Sequence, residues 1–162
     1  MTPQSRLIDA GQVASQRVHE FERYWSGKAA GGQPPRRAAI DPVEIPRLLP
    51  YLIIADIERT PFRVRYRLVG TRVVEANGSD FTNRYLDACG FTVEVLLTEC
   101  YRRVVATRAP VFAHYEWHRK DWRRPRGAIG SSETGFFPLS SDGVEIDGAI
   151  SLADCDARPY QR

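Results

Sequence analysis

The side chains best suited to chemistry in this 162-residue chain are three histidines, three cysteines and the serine pairs Ser131-Ser132 and Ser140-Ser141. His114 and His118 share one face of a strand about 13 Å apart, at roughly 3.3 Å per residue, too far to hold one metal together without a bend. His19 belongs to a distant segment. Neither serine pair has the Gly-x-Ser-x-Gly setting of a strand-to-helix nucleophile elbow. Cys100 falls on an apolar helical stripe, where a buried, inert thiol belongs. Cys89, beside Gly90, is the better candidate for a reactive thiol, and a small buried residue at a helix end is the alternative. Gly70, Gly78 and Gly90 do not form a phosphate-cradling pattern. No catalytic residue and no metal site is assigned, and the chain is not expected to be an enzyme.

Binding residues are easier to nominate. Asp56 interrupts the apolar run Leu52-Ile53-Ile54-Ala55 and is expected to pair with Arg63, Arg65 or Arg67 of the next strand. Arg67 could instead grip an anionic ligand group bidentately. Glu133 is read as a surface or cross-strand partner. Tyr66 and Leu68 on one strand, Leu97 and Tyr101 on a long helix, and Tyr115 on a later strand can converge between helix and sheet. With Arg67 they make the candidate ligand-binding set, in a mostly apolar cavity with a few polar tips; the alternative is a filled core with tyrosine hydroxyls at its rim. A second candidate surface is Trp117-His118-Arg119-Lys120-Asp121-Trp122-Arg123-Arg124-Pro125-Arg126, whose interleaved tryptophans and basic groups can stack on bases and meet phosphates. The net charge of only +3, from 23 basic against 20 acidic residues, argues instead for a solvated hairpin loop.

Hydrophobic residues make up 43% of the chain and charged residues 27%, the balance of a globular domain. The longest apolar stretch, Leu48 to Ile57, is broken by Pro50 and Asp56 and is too short for a bilayer. The first residues lack the apolar core of a signal peptide. Three cysteines without metal-type spacing predict reduced thiols and a cytoplasmic protein.

The elements that must position these residues follow from periodicity. Asp9 and Gln12 form a capping-box-like pair, and Ala14, Val18, Phe21 and Trp25 recur at helical spacing, so residues 10 to 26 are expected to form an amphipathic helix. Gly31-Gly32-Gln33-Pro34-Pro35 reads as a linker. Asp41-Pro42-Val43-Glu44 starts a short or 3₁₀-like turn that Pro46 keeps from growing. Leu52 to Glu58 is a strand. Phe62, Val64, Tyr66 and Leu68 then alternate with Arg63, Arg65 and Arg67, as in a half-buried strand. Short helical turns occupy 79 to 90. Val93, Leu96, Leu97, Cys100, Tyr101, Val104 and Val105 trace a helix that ends before Pro110. Residues 111 to 118 and 129 to 139 are strands, Asp142-Gly143 is a hairpin signal, and Ile146, Gly148, Ile150 and Leu152 alternate along the last strand.

Two strands, short helices, one longer helix and three antiparallel strands is the element order of the PAS fold. The wording also resembles a bacterial family of small, mostly stand-alone PAS-like proteins. The matching residues are Trp25, the Arg36–Pro42 run, Leu48-Leu49-Pro50, Tyr66-Arg67-Leu68-Val69-Gly70-Thr71, Gly78-Ser79-Asp80-Phe81-Thr82 and Pro138-Leu139-Ser140-Ser141-Asp142-Gly143. The resemblance spans roughly residues 20 to 153. It implies an α+β domain, a five-stranded antiparallel sheet with helices on one face plus an N-terminal amphipathic helix. The expected organisation is an N-terminal helix in 1–30, a Pro-rich linker and turn in 31–50, the PAS-like domain in 51–156 and a tail in 157–162. The implied role is sensory: a small molecule or a protein partner is bound without catalysis. The chain departs from two known PAS chemistries. Asn83-Arg84-Tyr85 lacks the cysteine of a flavin-photocycle motif, and residues 92 to 108 hold no histidine for haem, so no cofactor is expected. No kinase, cyclase or DNA-binding segment is recognised, so the signal is expected to pass to a protein partner. The first helix is expected to pack on the sheet or on a second copy, with Ala14, Val18, Phe21 and Trp25 as a homodimer interface.

Overall fold

The structure is a computed structural model describing residues 5–118 and 129–156. The described residues form one antiparallel sheet of six strands: β1 (Arg6–Ile8), β2 (Leu52–Arg59), β3 (Phe62–Val69), β4 (Val111–His118), β5 (Ile129–Leu139) and β6 (Gly148–Asp154), in the spatial order β1-β4-β5-β6-β2-β3. Five strands were expected. The sixth, β1, pairs Arg6 with His114 and Ile8 with Phe112 along the outer edge of β4. Three residues are too few for a period-two pattern to declare itself, and β1 is an edge closed by β4 rather than by its own side chains.

The helices α1 (Gln16–Lys28), α2 (Thr71–Asn77) and α3 (Glu94–Thr107) do not share a face. Leu97, Tyr101 and Val104 of α3 pack with Ala113, Tyr115, Phe136, Ala149 and Ala153. Val18, Phe21 and Trp25 of α1 pack with Phe112, Phe137, Leu139, Ile150 and Leu152 on the opposite face. Successive strand side chains point to opposite faces, so β5 and β6 bury both. Phe21 meets Phe137 edge-on at 5.0 Å, and the Trp25 indole N–H donates to the Pro138 carbonyl at 3.0 Å. A Cβ on Gly135 would lie 2.7 Å from the Phe137 ring and 3.1 Å from Val18, so glycine allows α1 this close to the sheet. No helix among the described residues is long and apolar enough to cross a membrane.

The start of α1 differs from expectation. Asp9 and Gln12 do form a reciprocal pair, with the Asp9 N–H donating to Gln12 Oε1 at 2.9 Å, but they close only the 3₁₀ turn Ala10–Gln12. The helix begins after Ser15, whose hydroxyl accepts from the Val18 N–H at 3.1 Å and donates to Asp154 Oδ2 at 2.6 Å. Glu133, opposite Asp154 on the neighbouring strand, accepts the Ala14 and Ser15 N–H groups at 2.6 and 2.7 Å. Two buried carboxylates thus lie at the positive dipole end of α1, Glu133 on backbone N–H groups and Asp154 on the capping hydroxyl of Ser15. Glu133 is a cross-strand partner in register, yet its ligands lie on α1. Residues 31–51 are drawn onto the same face: Ile40, Ile45, Leu48 and Tyr51 join its core, and 3₁₀ turns occupy Arg37–Ala39, Pro42–Glu44 and Leu49–Tyr51. Glu44 does not reach back to its own turn, but takes the Tyr24 hydroxyl at 2.6 Å and Lys28 at 2.8 Å.

α2 was not foreseen, because Val73-Val74 between two glycines carries no helical signature by itself. Gly70 caps it where a Cβ would lie 2.3 Å from the Pro50 carbonyl oxygen. The Asp142-Gly143 signal turns within an eight-residue connection rather than a two-residue hairpin, with Asp142 accepting the Val144 and Glu145 N–H groups.

Two outcomes follow for equilibrium urea unfolding. Glu133→Ala strands two backbone donors under α1 and is expected to cost about 2–4 kcal/mol, with Glu133→Gln, which retains an acceptor, costing less. Gly70→Ala is expected to cost about 2 kcal/mol or more, because its neighbour is backbone and cannot yield. Gly11→Ala, with nothing within 4 Å, serves as the silent control.

Candidate functional site

A partly enclosed cavity of about 120 Å³ lies between the sheet and the α2–α3 side. Its floor is Ile53, Tyr66, Tyr115, Ser132, Thr134, Phe136, Ala153 and Cys155. Its roof is Val73, Ala76 and Asn77 of α2 with Leu97 and Tyr101 of α3. Ser79, Phe81, Arg84, Cys89, Gly90, Phe91, Thr92 and Val93 complete the wall, and the exposed Ser79, Arg84, Gly90 and Thr92 mark its mouth. The volume exists because small side chains sit under the helices: Ser132, Thr134 and Ala153 stand where the other face carries Phe137, Ile150 and Leu152.

Aromatic rings line the space at mutual edges. Tyr66 meets Phe81 at 4.7 Å, Phe81 meets Phe91 at 5.1 Å, and Tyr101 meets Phe136 at 5.2 Å, each close to perpendicular. Such contacts place ring edges against ring faces. A hydroxyl chain crosses the floor: Ser132 and Thr134 are 2.8 Å apart, and Thr134 donates to the Tyr115 oxygen at 2.9 Å. Burial pushes the phenols of Tyr66 and Tyr101 well up, with the Tyr66 and Ser151 hydroxyls partly offsetting this at Tyr101. Burial likewise pushes Tyr115 up to about 12, against the opposing pull of Thr134 and Ser132. All three remain neutral donors near neutral pH.

The cavity collects Tyr66, Leu97, Tyr101 and Tyr115 of the predicted ligand set and rejects the other two. β3 carries a bulge: Tyr66 faces Ala55, but Leu68 faces Ile54, so Arg67 is the extra residue. The bulge moves Leu68 to the far side of the sheet, where it is 44% exposed. Arg67 turns the same way and pairs with Asp56, to which Arg37 adds a contact at 3.7 Å. Two of the β3 arginines, Arg63 and Arg67, are therefore held in ion pairs. Arg63 is held by Asp87 at 2.7 Å and lies 3.6 Å above the Tyr85 ring. Residues 83–85 run along the outer edge of β3, with the Asn83 N–H donating to the Tyr66 carbonyl at 2.7 Å and the Tyr66 N–H to the Arg84 carbonyl at 2.9 Å. That loop closes the outer edge of the strand.

The residues proposed as a dimer interface are covered by the chain's own sheet. Val18 and Phe21 have no exposed surface and Trp25 has 8%, while Ala14 is exposed. The apolar stripe of α1 therefore needs no second copy to bury it.

The nominated ligand set missed Phe81, Phe91, Ser132, Thr134, Ala153 and Cys155, and Cys89 was singled out only as a candidate reactive thiol. Cys89 and Cys155 both line the cavity, each pushed up by burial, Cys155 to about 11, so neither is an activated thiolate. Cys100 is fully buried on α3 and raised to about 12, as an inert core thiol. The small alternate residues of β6 (Ala149, Ser151, Ala153) were the available signal for a cavity floor. The Trp/Arg segment 117–126 offered as a nucleic-acid surface lies outside the described residues, apart from the backbone of Trp117 and His118 in β4.

The family model described as PAS domain matches residues 13–128, from just before α1 to the connection between β4 and β5. The floor strands β5 and β6 follow the matched span. No curated protein matches the chain.

The three cavity phenols tie stability to alkaline pH. An ordinary tyrosine titrates near 10, and these are raised in the folded state. Their contribution is complete below pH 10 and is lost as pH rises through the folded values. The urea midpoint is expected to fall steadily between pH 10 and 12, and Tyr115→Phe to fall less steeply. A flat midpoint across that range would contradict the assignment.

Proposed function

The chain belongs to the PAS domain family, and from that premise we propose that it is a non-catalytic sensory module whose cavity under α3 receives a small molecule and whose bound state is read by a protein partner. PAS domains are generally sensory rather than catalytic, and the chemistry of the site agrees with that role. The observation that carries the reading is the cavity itself: a space of about 120 Å³ kept open beside a well-packed core. Its wall combines apolar rings with a few convergent hydroxyls, the usual composition of a small-molecule site. The titrating groups nearest to it are raised tyrosines and thiols, which suit recognition and not proton transfer or nucleophilic attack at neutral pH.

A route outward is supported by the end of β6. Cys155 lines the cavity, while its neighbours hold other elements. Asp154 binds Ser15 and, at 3.3 Å, Arg17 of α1. Asp156 accepts the Tyr51 hydroxyl at 2.6 Å and pairs with Arg72 of α2. A ligand that shifts Cys155 would therefore strain contacts to α1, α2 and the Leu49–Tyr51 turn together, which gives a partner a changed surface to read.

Native mass spectrometry of freshly purified protein is the direct test. A co-purified small molecule is expected on the wild type and absent from Ala153→Val and Ala76→Leu, which fill the cavity from floor and roof. Both variants are expected to melt at or above the wild-type temperature, because added methyl groups enter empty space. A bound molecule retained at wild-type occupancy by both folded variants would place the sensory site elsewhere.

A further inference from the structure

Resting on the reading that this cavity is the sensory site, we propose that its ligand is an uncharged molecule the size of one aromatic ring, bearing an oxygen that a tyrosine hydroxyl can hydrogen-bond. Size comes first. The cavity measures about 120 Å³. An apolar protein cavity of about 150 Å³ accepts benzene, and sites for drug-sized ligands run from about 300 Å³ upward. One ring is therefore the largest guest the enclosed space suits, and a fused polycyclic ligand exceeds it.

Charge narrows the class. Among the described lining residues there is no aspartate, glutamate, lysine or histidine. The charged liner is Arg84, which is exposed at the mouth and donates to the Ala88 carbonyl at 3.2 Å. An anion or cation seated on the floor would lose its hydration without gaining a counter-ion, so the interior selects neutral guests.

The wall then selects an oxygen-bearing ring. Tyr66, Phe81 and Phe91 already stand edge to face, at 4.7 and 5.1 Å for successive pairs, and a further ring extends that arrangement. The polar groups deepest in the cavity are the hydroxyls of Tyr66, Tyr101, Tyr115, Ser132 and Thr134, with Asn77 on the roof, Ser79, Arg84 and Thr92 at the mouth and the thiols of Cys89 and Cys155 in the wall. A hydroxyl rotates to donate or accept, so it can serve a phenol, an aldehyde or a ketone alike. Burial keeps the phenols protonated, which leaves them able to donate to such an oxygen.

Isothermal titration calorimetry on the full chain with four probes tests this: p-cresol, toluene, benzoate and 2-naphthol. p-Cresol is expected to bind most tightly, with toluene at least threefold weaker for want of the oxygen. Benzoate and 2-naphthol are expected at least tenfold weaker, for charge and for size. At least one of Tyr66→Phe, Tyr101→Phe and Tyr115→Phe is expected to weaken p-cresol fivefold or more while leaving toluene within twofold. Benzoate or 2-naphthol matching p-cresol would overturn the ligand class, and loss of that binding in Ala153→Val and Ala76→Leu would leave the sensory reading of the cavity standing. The class also falls if no probe binds while native mass spectrometry finds a different molecule that both filling variants exclude. Silence of all four probes, together with the same bound molecule on wild type and both folded filling variants, would overturn the class and the sensory reading together.

Discussion

Every residue of β6 is buried, so this strand must satisfy two environments at once. A strand can do so only by alternating, because successive side chains face opposite ways. β6 alternates by size as well as by direction. Ile150 and Leu152 fill the α1 face, while Ala149, Ser151 and Ala153 stand on the α3 face. β5 continues the contrast, with Phe137 and Leu139 on one side and Ser132 and Thr134 on the other. One face is therefore packed solid, and the other keeps room. The cavity is the consequence of that asymmetry, with residues 79–93 completing its wall.

The solid face has its own requirement. An α-helix laid on a sheet arrives with unsatisfied N–H groups at its start. Here the Ala14 and Ser15 N–H groups land on Glu133, and the Ser15 hydroxyl that caps Val18 is held in turn by Asp154, two acids side by side on adjacent strands. Two carboxylates so close would repel if left alone; the donors of Ala14, Ser15 and Arg17 make the pair tolerable. This is a polar contact inside a hydrophobic layer, and it sets where α1 begins as firmly as the apolar stripe sets which side it buries. It also lies one residue from Cys155 in the cavity wall, which joins the packed face to the open one.

Much of this was legible in the chain. α3 could be placed to within two residues because its apolar positions repeat over three turns, and four of six nominated ligand residues do line the cavity. The failures have particular causes. Leu68 follows the same alternation as Tyr66, but a bulge at Arg67 breaks the register, and nothing in a run of alternating residues announces an extra one. Phe81 and Phe91 sit in irregular segments without periodicity, so only folding brings them against Tyr66. Val18, Phe21 and Trp25 were correctly read as one apolar stripe, but a stripe does not say what covers it.

The sequence by itself determined the local facts: where chain segments turn and which positions want burial. Those facts depend on short-range geometry, with periods of two and 3.6 residues and the fixed preferences of glycine, proline and capping side chains. Tertiary structure alone decided that α1 and α3 take opposite faces, that Glu133 reaches Ser15 across 118 positions, and that small residues far apart in the chain share one empty space. Such outcomes depend on volume and on the meeting of distant groups, and neither is a property of any single segment.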